Sequence, residues 1–179
     1  MSDKQLIHKG NHISLYKQKV SLPENQHTYY DVVAHPGGSV MVAIDTEDRL
    51  CLITQPRPAI GHDIWEFPAG CLEPNESPLV TAKRELEEET GFVADTWFEL
   101  GSIVTAPGFC DEVLHLFAAK HLTKTATNFD AEEQIESHWL SISDIEEKIS
   151  TGEINDAKTL SVLYKMRIHP EFFHLFKMP

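Results

Sequence analysis

Residues 70–92 are GCLEPNESPLVTAKRELEEETGF, and the rest of the chain is best interpreted outward from them. The second half of this segment predicts a helix, because Ser77 can cap its N-terminus and Pro78 suits the first helical position. Gly91 suits a left-handed exit from the helix. Apolar residues recur on one face between these ends, namely Leu79, Ala82 and Leu86. The segment therefore predicts one amphipathic helix that packs against a core.

The polar side of this helix is strongly acidic. With about 100° of rotation per residue, Glu85, Glu88 and Glu89 lie within about 100° of one another, whereas Glu87 points to roughly the opposite side. Carboxylates this close repel each other, and the C-terminal end of a helix disfavours negative charge. Hard divalent cations such as Mg²⁺ offset that repulsion because they prefer carboxylate oxygens. Taken alone, however, such a cluster is also typical of a solvated helix face.

The spacing of the surrounding residues makes the acidic cluster specific. Gly70 is followed by five residues and Glu76, and then by seven residues and the run Arg84-Glu85-Leu86-Glu87-Glu88-Glu89-Thr90-Gly91-Phe92. This pattern resembles the Nudix box, G-x5-E-x7-R-E-U-x-E-E-x-G-U with U apolar, and every fixed position matches. Gly70 permits a tight turn before the loop, and Arg84 can hold Glu88 through a bidentate bond.

The resemblance to the Nudix hydrolases implies an Mg²⁺-dependent enzyme, with Mn²⁺ as a substitute. It implies Glu85 and Glu89 as metal ligands, Glu88 as a further ligand or network member, and the carbonyl of Ala69 as a ligand that completes the set. Glu76 supports the geometry between loop and helix. The catalytic group then includes Arg84 and Glu88, and the structural positions of the motif are Gly70, Glu76 and Gly91.

Three further segments resemble the ADP-ribose and nucleotide-sugar pyrophosphatases of that superfamily. They are WEFPAG at 65–70, TAPGFCDE at 105–112 and GEINDAKT at 152–159. Pro107 falls 15 residues after Phe92, about where that subfamily carries its marker proline. The substrate-binding residues implied by the resemblance are Arg57, Trp65, Glu66, Pro107, Gly108 and Glu112.

Some of these residues also have simpler explanations. Arg57, in the segment QPRP, could clamp a phosphate bidentately or could be a surface arginine in a turn. Trp65 or Tyr30 could stack on a base, although each residue type is more often part of a core.

The general base is expected in the acidic segment 130–136, DAEEQIE. Relatives often carry an E-x-E-x-I pattern there, but this chain has Ala131 at the first acidic position. We favour Glu133 as the base, with Glu132 as the alternative, and the resemblance also implies Glu133 as a residue of the metal site. Glu136 continues into a strand and is interpreted as structural or as part of the rim.

The order of elements predicts an α+β fold, an α/β/α sandwich of the Nudix type with a mixed sheet and a small N-terminal strand region. We expect residues 1–38 to form this N-terminal region and residues 39–179 to form the hydrolase domain. The resemblance suggests that 1–38 packs across a homodimer, although these strands could instead extend the same sheet. Strands are predicted at 12–20, 28–34, 39–44, 50–54, 65–67, 97–105, 113–119 and 137–140, and helices at 77–91, 143–152 and 157–169.

The composition argues against several classes of binding partner. The net charge of −13 over 179 residues repels nucleic acid and anionic membranes over most of the surface. Apolar runs are too short to span a bilayer, and the first residues show no apolar signal region. The odd, widely spaced cysteines Cys51, Cys71 and Cys110 suggest reduced thiols and a cytoplasmic location.

The expected reaction is hydrolysis of the diphosphate in ADP-ribose or a related nucleoside diphosphate sugar, which gives a nucleoside monophosphate and a sugar phosphate. GDP-mannose or another sugar nucleotide is the alternative substrate. A third hypothesis is a Nudix-like sensor that binds ADP-ribose without cleaving it. The intact box and the lack of an extra domain or basic patch argue against a sensor.

Overall fold

The computed structural model describes residues 3–125 and 135–176. Within these residues the chain forms ten strands and three α-helices, together with short 3₁₀ turns at Pro23–Asn25 and Phe173–Phe176. The strands are β1 (Lys4–Lys9), β2 (Ser14–Ser21), β3 (His27–Ala34), β4 (Gly38–Ala43), β5 (Leu50–Arg57), β6 (His62–Glu66), β7 (Ala69–Cys71), β8 (Phe92–Val104), β9 (Val113–Lys124) and β10 (Glu136–Leu140). The helices are α1 (Pro78–Thr90), α2 (Ile142–Thr151) and α3 (Ala157–Ile168).

Two sheets form the centre of the molecule. The first has the order β7-β4-β9-β8 and is mixed, because β4 runs parallel to β9 while its other pairs are antiparallel. The second has the order β10-β5-β6 and is antiparallel. An isolated bridge between Ile44 and Leu50 links the two sheets at one end of β4.

Strand β4 separates two apolar layers, and its residues alternate between them. Val40 and Val42 belong to a cluster that includes residues of α2 and α3. Met41 and Ala43 belong to a second cluster that includes Leu86 of α1. Because successive side chains of a strand point to opposite faces, helices cover the sheet on both sides. The predicted α+β fold, with its α/β/α sandwich and mixed sheet, is therefore confirmed.

The N-terminal strands form a separate sheet of order β1-β2-β3. Strand β1 is exposed along its whole length and was not predicted, since it buries no apolar face that would give an alternating pattern. The sheet meets the central body at the loop 105–112. There the N–H of Val33 donates to the carbonyl of Phe109 at 2.7 Å, and the N–H of Asp111 donates to the carbonyl of Val33 at 3.1 Å.

Several local predictions need correction. The capping box of α2 is formed by Ser141 and Asp144 rather than by Ser143 and Glu146, because the chain turns into the helix two residues earlier. Ser77 precedes α1 but makes no side-chain capping bond.

Two more corrections concern packing and strand limits. Leu79, expected on the packed face of α1, is 37% exposed. The strand predicted at 65–67 is instead β6, and the short β7 follows it after Pro68. No helix in the described part of the chain is long and apolar enough to cross a bilayer.

Candidate active site

The C-terminal half of α1 brings the acidic residues against the sheet. The helix ends at Gly91, whose left-handed backbone (φ 71°, ψ 26°) lets its N–H donate to the carbonyl of Glu87 at 2.9 Å. Ala82 and Leu86 are fully buried on the face toward the sheet. Glu89 lies on the same face and is only 3% exposed. The helix therefore places a carboxylate inside the protein, where it requires polar partners.

Arg84 links three of the acids. Its Nε and Nη2 donate to the two oxygens of Glu76 at 3.0 and 3.1 Å. Its Nη1 donates to Glu85 at 2.7 Å and to Glu88 at 2.9 Å. The expectation that Arg84 holds Glu88 bidentately is therefore wrong. The guanidinium fork faces Glu76, which the loop before the helix brings within reach, and Glu88 receives a single bond.

The hydrogen bonds between Arg84 and Glu76 shift the pKa of both side chains. The hydrogen bonds from Arg84 and Thr81 lower the pKa of Glu76 to about 2. In return, the hydrogen bond to Glu76 raises the pKa of Arg84 well above its usual value, against the opposing effect of burial. Glu76 thus stays ionised and ties the loop 73–76 to the middle of α1.

Two of the acids meet the backbone of β7. The carboxylate of Glu89 accepts a hydrogen bond from the N–H of Ala69 at 2.9 Å. The carboxylate of Glu85 lies against Gly70, so closely that a Cβ added at Gly70 would be 1.8 Å from Glu85 Oε1. The role of glycine here is therefore close approach, and its φ is not positive.

The donor set around Ala69 and Gly70 fits a hard divalent cation. In the described residues, no three His, Cys, Asp or Glu side chains already converge as a metal site. Mg²⁺, however, is commonly held by one or two carboxylates together with water and substrate phosphates. Glu85 and Glu89 supply two carboxylates within one helical turn at the same short strand.

Two cavities adjoin this region of the protein. One of about 780 Å³ is bordered by the Nudix-like residues Glu76, Arg84, Glu85 and Glu88. The other, of about 380 Å³, is bordered by Ala69 and Gly70, by Arg57 and Lys158, which we call the cationic wall, and by acidic residues that include Glu112. Cys71 lines both cavities, so the acidic helix face and the cationic wall open onto the same region.

The cationic wall is built on a buried carboxylate. Glu66 is fully buried, and its Oε1 accepts a hydrogen bond from Nε of Arg57 at 2.7 Å. Its Oε2 is in contact with Nζ of Lys158, which also lies 3.1 Å from Asp156 Oδ2. Burial tends to lower the pKa of Arg57, but the bond and charge of Glu66 outweigh it, and the pKa is raised. Both cations line the smaller cavity.

Lys158 was not assigned a role from the sequence. The segment GEINDAKT that contains it was noted for its resemblance, and that segment was the only available signal. Its contact with Glu66, 92 residues away, depends on the packing of α3 against the sheets.

Comparison with known proteins identifies the family. The model of the NUDIX domain matches residues 34–163. This chain belongs to the Nudix family. The predicted Nudix-type hydrolase is thereby confirmed.

Two relatives match most of the Nudix chain. It is 35% identical over 170 residues to the "Methanol dehydrogenase activator" of Bacillus methanolicus, covering 94% of this chain and 92% of the relative. It is 34% identical over 167 residues to the "ADP-ribose pyrophosphatase" of Bacillus subtilis (strain 168), covering 92% and 90%. A crystal structure of an ADP compounds hydrolase superposes with a TM-score of 0.80 at 19% identity, over 92% of this chain and 90% of that one, and shows the same fold.

Of the substrate-binding residues expected in the loop 105–112, one lines the smaller cavity. Glu112 lines the smaller cavity, and its Oε1 lies 3.2 Å from Nδ1 of His35. Pro107 and Gly108 are at the exposed tip of the loop, so they do not line either cavity in the described part of the chain. Loop and N-terminal sheet are joined at this edge through Val33.

The two aromatic residues considered for stacking on a base lie outside both cavities. Trp65 precedes Glu66 on β6 and therefore points to the opposite face of the strand. Its ring is 4.5 Å from that of His138 and lies 4.6 Å from Nζ of Lys148. Tyr30 lies on β3 and is 52% exposed. Neither aromatic borders the two cavities described above.

The predicted general bases lie outside the described residues. Glu132 and Glu133 fall between residue 125 and residue 135. Glu136 is exposed on β10, opposite Thr54 of β5.

Proposed function

We propose that this chain catalyses Mg²⁺-dependent hydrolysis of the diphosphate in ADP-ribose or a related nucleoside diphosphate sugar. The observation that supports it most directly is the closeness of two sets of groups: Glu85 and Glu89 contact Gly70 and Ala69, and these two residues line the smaller cavity together with Arg57 and Lys158. A diphosphate carries negative charge along its length, so it needs cations on both sides. The relative named ADP-ribose pyrophosphatase adds support for this substrate class.

One group of residues would bind the metal, and another would bind the phosphates. Glu85, Glu89 and the carbonyl of Ala69 would hold Mg²⁺ or, as a substitute, Mn²⁺, with Glu88 as an additional ligand. Bound there, the metal would neutralise phosphate charge and lower the pKa of a water molecule. Arg57 donates to the phosphate oxygens, while Glu66 holds its Nε and Glu112 borders the same space.

The reaction breaks one bridging P–O bond. Water attacks a phosphorus of the diphosphate, and the products are a nucleoside monophosphate and a sugar phosphate. We assign proton removal from this water to Glu133, with Glu132 as the alternative. Glu133→Gln and Glu132→Gln compared in parallel would distinguish them, because only the variant at the true base loses turnover with an unchanged KM.

A substrate panel tests the proposal. ADP-ribose, GDP-mannose and other nucleoside diphosphate sugars are incubated with Mg²⁺ and alkaline phosphatase, which releases phosphate from the products and leaves the intact diphosphates untouched. We expect the highest kcat/KM with ADP-ribose. A preference for GDP-mannose would redirect the substrate assignment. Tight binding of ADP-ribose without phosphate release would instead indicate a sensor and contradict the enzymatic proposal.

We also propose that the N-terminal region 1–38 joins two copies of the chain. Its strands leave apolar and aromatic side chains exposed, among them Leu6, Ile7, Tyr29 and Tyr30. Burying such a patch stabilises a complex. Light scattering should give about twice the mass of 20.3 kDa, and Tyr29→Glu with Tyr30→Glu should shift the protein to monomer. A monomeric wild type would refute this part.

Finally, we propose a cytoplasmic location. All three cysteines, Cys51, Cys71 and Cys110, are free thiols, which suits a reducing compartment. Cell fractionation with an antibody against the chain would test it, and recovery outside the cytoplasm would count against it.

A further inference from the structure

Glu66 is a fully buried carboxylate with two cations on it. Arg57 donates through Nε to Oε1 at 2.7 Å, and the ammonium of Lys158 contacts Oε2. A buried carboxylate is costly unless it is paired, and both contacts offset the cost of burying Glu66. Each oxygen of Glu66 thus has a different cation.

Lys158 is held in place by a second acid. Its Nζ lies 3.1 Å from Asp156 Oδ2. The same Asp156 oxygen accepts from the N–H and the hydroxyl of Thr159 at 2.9 and 2.8 Å, which caps α3. Because Lys158 follows this cap by two residues, the start of α3 determines where its ammonium lies.

Arg57 uses only one edge of its guanidinium within the protein. Among residues 3–125 and 135–176, its hydrogen bond is the one from Nε to Glu66, and its terminal Nη1 and Nη2 make none. The side chain is 38% exposed and lines the smaller cavity. The two terminal nitrogens are therefore available to an anion that enters this cavity.

A guanidinium beside an unoccupied carboxylate edge frequently closes on it bidentately. In this protein the ammonium of Lys158 lies at Oε2 of Glu66 and repels the like-charged guanidinium from that edge, and Arg57 meets only Oε1. The position of Lys158 thus opposes the collapse of Arg57 onto Glu66.

We propose that Lys158 is a positioning residue for diphosphate binding: by occupying Oε2 of Glu66 it keeps the terminal nitrogens of Arg57 directed at the substrate. This inference rests on the proposed function for its substrate class. Lys158 acts through Glu66, and it is Arg57 that touches the phosphate oxygens. Lys158 in this role differs from a lysine that binds phosphate directly.

The experiment compares Lys158→Met in two backgrounds. In the wild-type background the neutral side chain frees Oε2, so Arg57 closes on Glu66, and we expect KM for ADP-ribose to rise about 10-fold or more with kcat within about threefold. In the Glu66→Gln background there is no carboxylate to draw Arg57 away. There the same substitution should change KM by less than about threefold.

Binding of inorganic pyrophosphate, measured by calorimetry in EDTA, provides a readout that needs neither metal nor turnover. Lys158→Met should weaken it by about 10-fold or more, and Glu66→Gln should suppress this loss. Lys120→Met is the matched control. Lys120 pairs with Glu171 at 3.3 Å and is partly buried like Lys158, and it lies at the end of the β4–β9 pair away from Gly38 and Leu114, which line the smaller cavity. It should leave pyrophosphate binding unchanged.

The possible outcomes separate this inference from the proposed function. Wild-type protein that hydrolyses no nucleotide sugar but binds pyrophosphate in a Lys158-dependent way would refute the reaction and support the inference. Equal losses in the wild-type and Glu66→Gln backgrounds would show that Lys158 touches the anion itself and would overturn the inference. Unchanged binding in Lys158→Met, or no pyrophosphate binding by wild type, would also overturn it. Lys158→Gln provides a second variant if Lys158→Met fails to fold.

Discussion

The carboxylate of Glu85 lies directly against the backbone of Gly70, at a distance that leaves no space for a side chain. A Cβ at Gly70 would be 1.8 Å from Oε1 and 1.9 Å from Cδ of Glu85. Real side chains do not approach this closely, so any other residue must push the helix or the carboxylate away. The first fixed position of the box is thus explained by packing between β7 and α1.

Gly70→Ala is expected to be destabilising for this reason. Because the contacting atoms belong to the end of the Glu85 side chain, the carboxylate can move aside, and we expect a cost of about 1 kcal/mol or less, with Glu85 displaced from Gly70. The cost should shrink when Glu85 is also replaced by alanine, since the clash partner is gone. Thermal unfolding of the two single variants and the double variant measures this coupling. Additive effects would contradict the steric explanation.

The ion pair between Glu76 and Arg84 predicts a specific loss of stability in acid. The folded pKa of Glu76 is lowered to about 2 from an ordinary value of 4.5, so the stabilisation is fully present above pH 4.5 and is lost as pH falls toward 2. Glu76→Gln removes the titrating group. The free energy of unfolding should therefore fall more steeply for wild type than for Glu76→Gln between pH 4.5 and 2. Parallel curves from denaturant titrations would refute it.

Glu89→Gln should abolish most turnover while the protein stays folded. The amide oxygen can still accept the hydrogen bond from Ala69 N–H, but the charge that would hold a cation is lost. We expect kcat to fall by at least about 100-fold and Mg²⁺ affinity measured by calorimetry to fall with it.

Glu87→Gln is the matched control for this substitution. Glu87 lies on the same helix two residues before Glu89, about 200° away around the helix axis, so it is directed away from Ala69, which Glu89 contacts. It should retain near-wild-type kcat and Mg²⁺ affinity. A Glu89→Gln variant that keeps full rate would remove Glu89 from the metal site.

The start of α2 offers a test of the corrected helix cap. Ser141 accepts from the N–H of Asp144, and the carboxylate of Asp144 accepts from the N–H of Ser141 in return. Ser141→Ala should cost about 0.5–2 kcal/mol. Ser143→Ala should cost less than about 0.5 kcal/mol, because Ser143 contributes only a hydroxyl contact to Ser141. Chemical denaturation of both variants would reveal a reversed order if the cap were at Ser143.

Much of the site was predictable because it is local in the chain. The spacing from Gly70 to Phe92 indicated the helix, its left-handed end at Gly91 and the acids on one side, all of which the structure contains. Helical periodicity relates residues three and four apart without reference to the rest of the protein. The short apolar run at 39–44 likewise indicated β4, which is buried on both faces.

The remaining features required contacts between distant segments. The sequence does not specify which acid binds both nitrogens of the Arg84 guanidinium. The fold of the loop before α1 brings Glu76 to that position. Strand β1 carried no apolar pattern, so nothing in its residues distinguished it from a disordered terminus.

The sequence by itself determined the family, the acidic helix and the chemistry that suits a divalent metal, because these follow from residue identity and short-range spacing. Only the tertiary structure decided that Glu66 is buried, that Arg57 and Lys158 share it, and that Trp65 points away from the cavity. The register of β5 against β6 and the packing of α3 determine these contacts. Such contacts join residues up to 92 positions apart, where no local periodicity constrains which side chains meet.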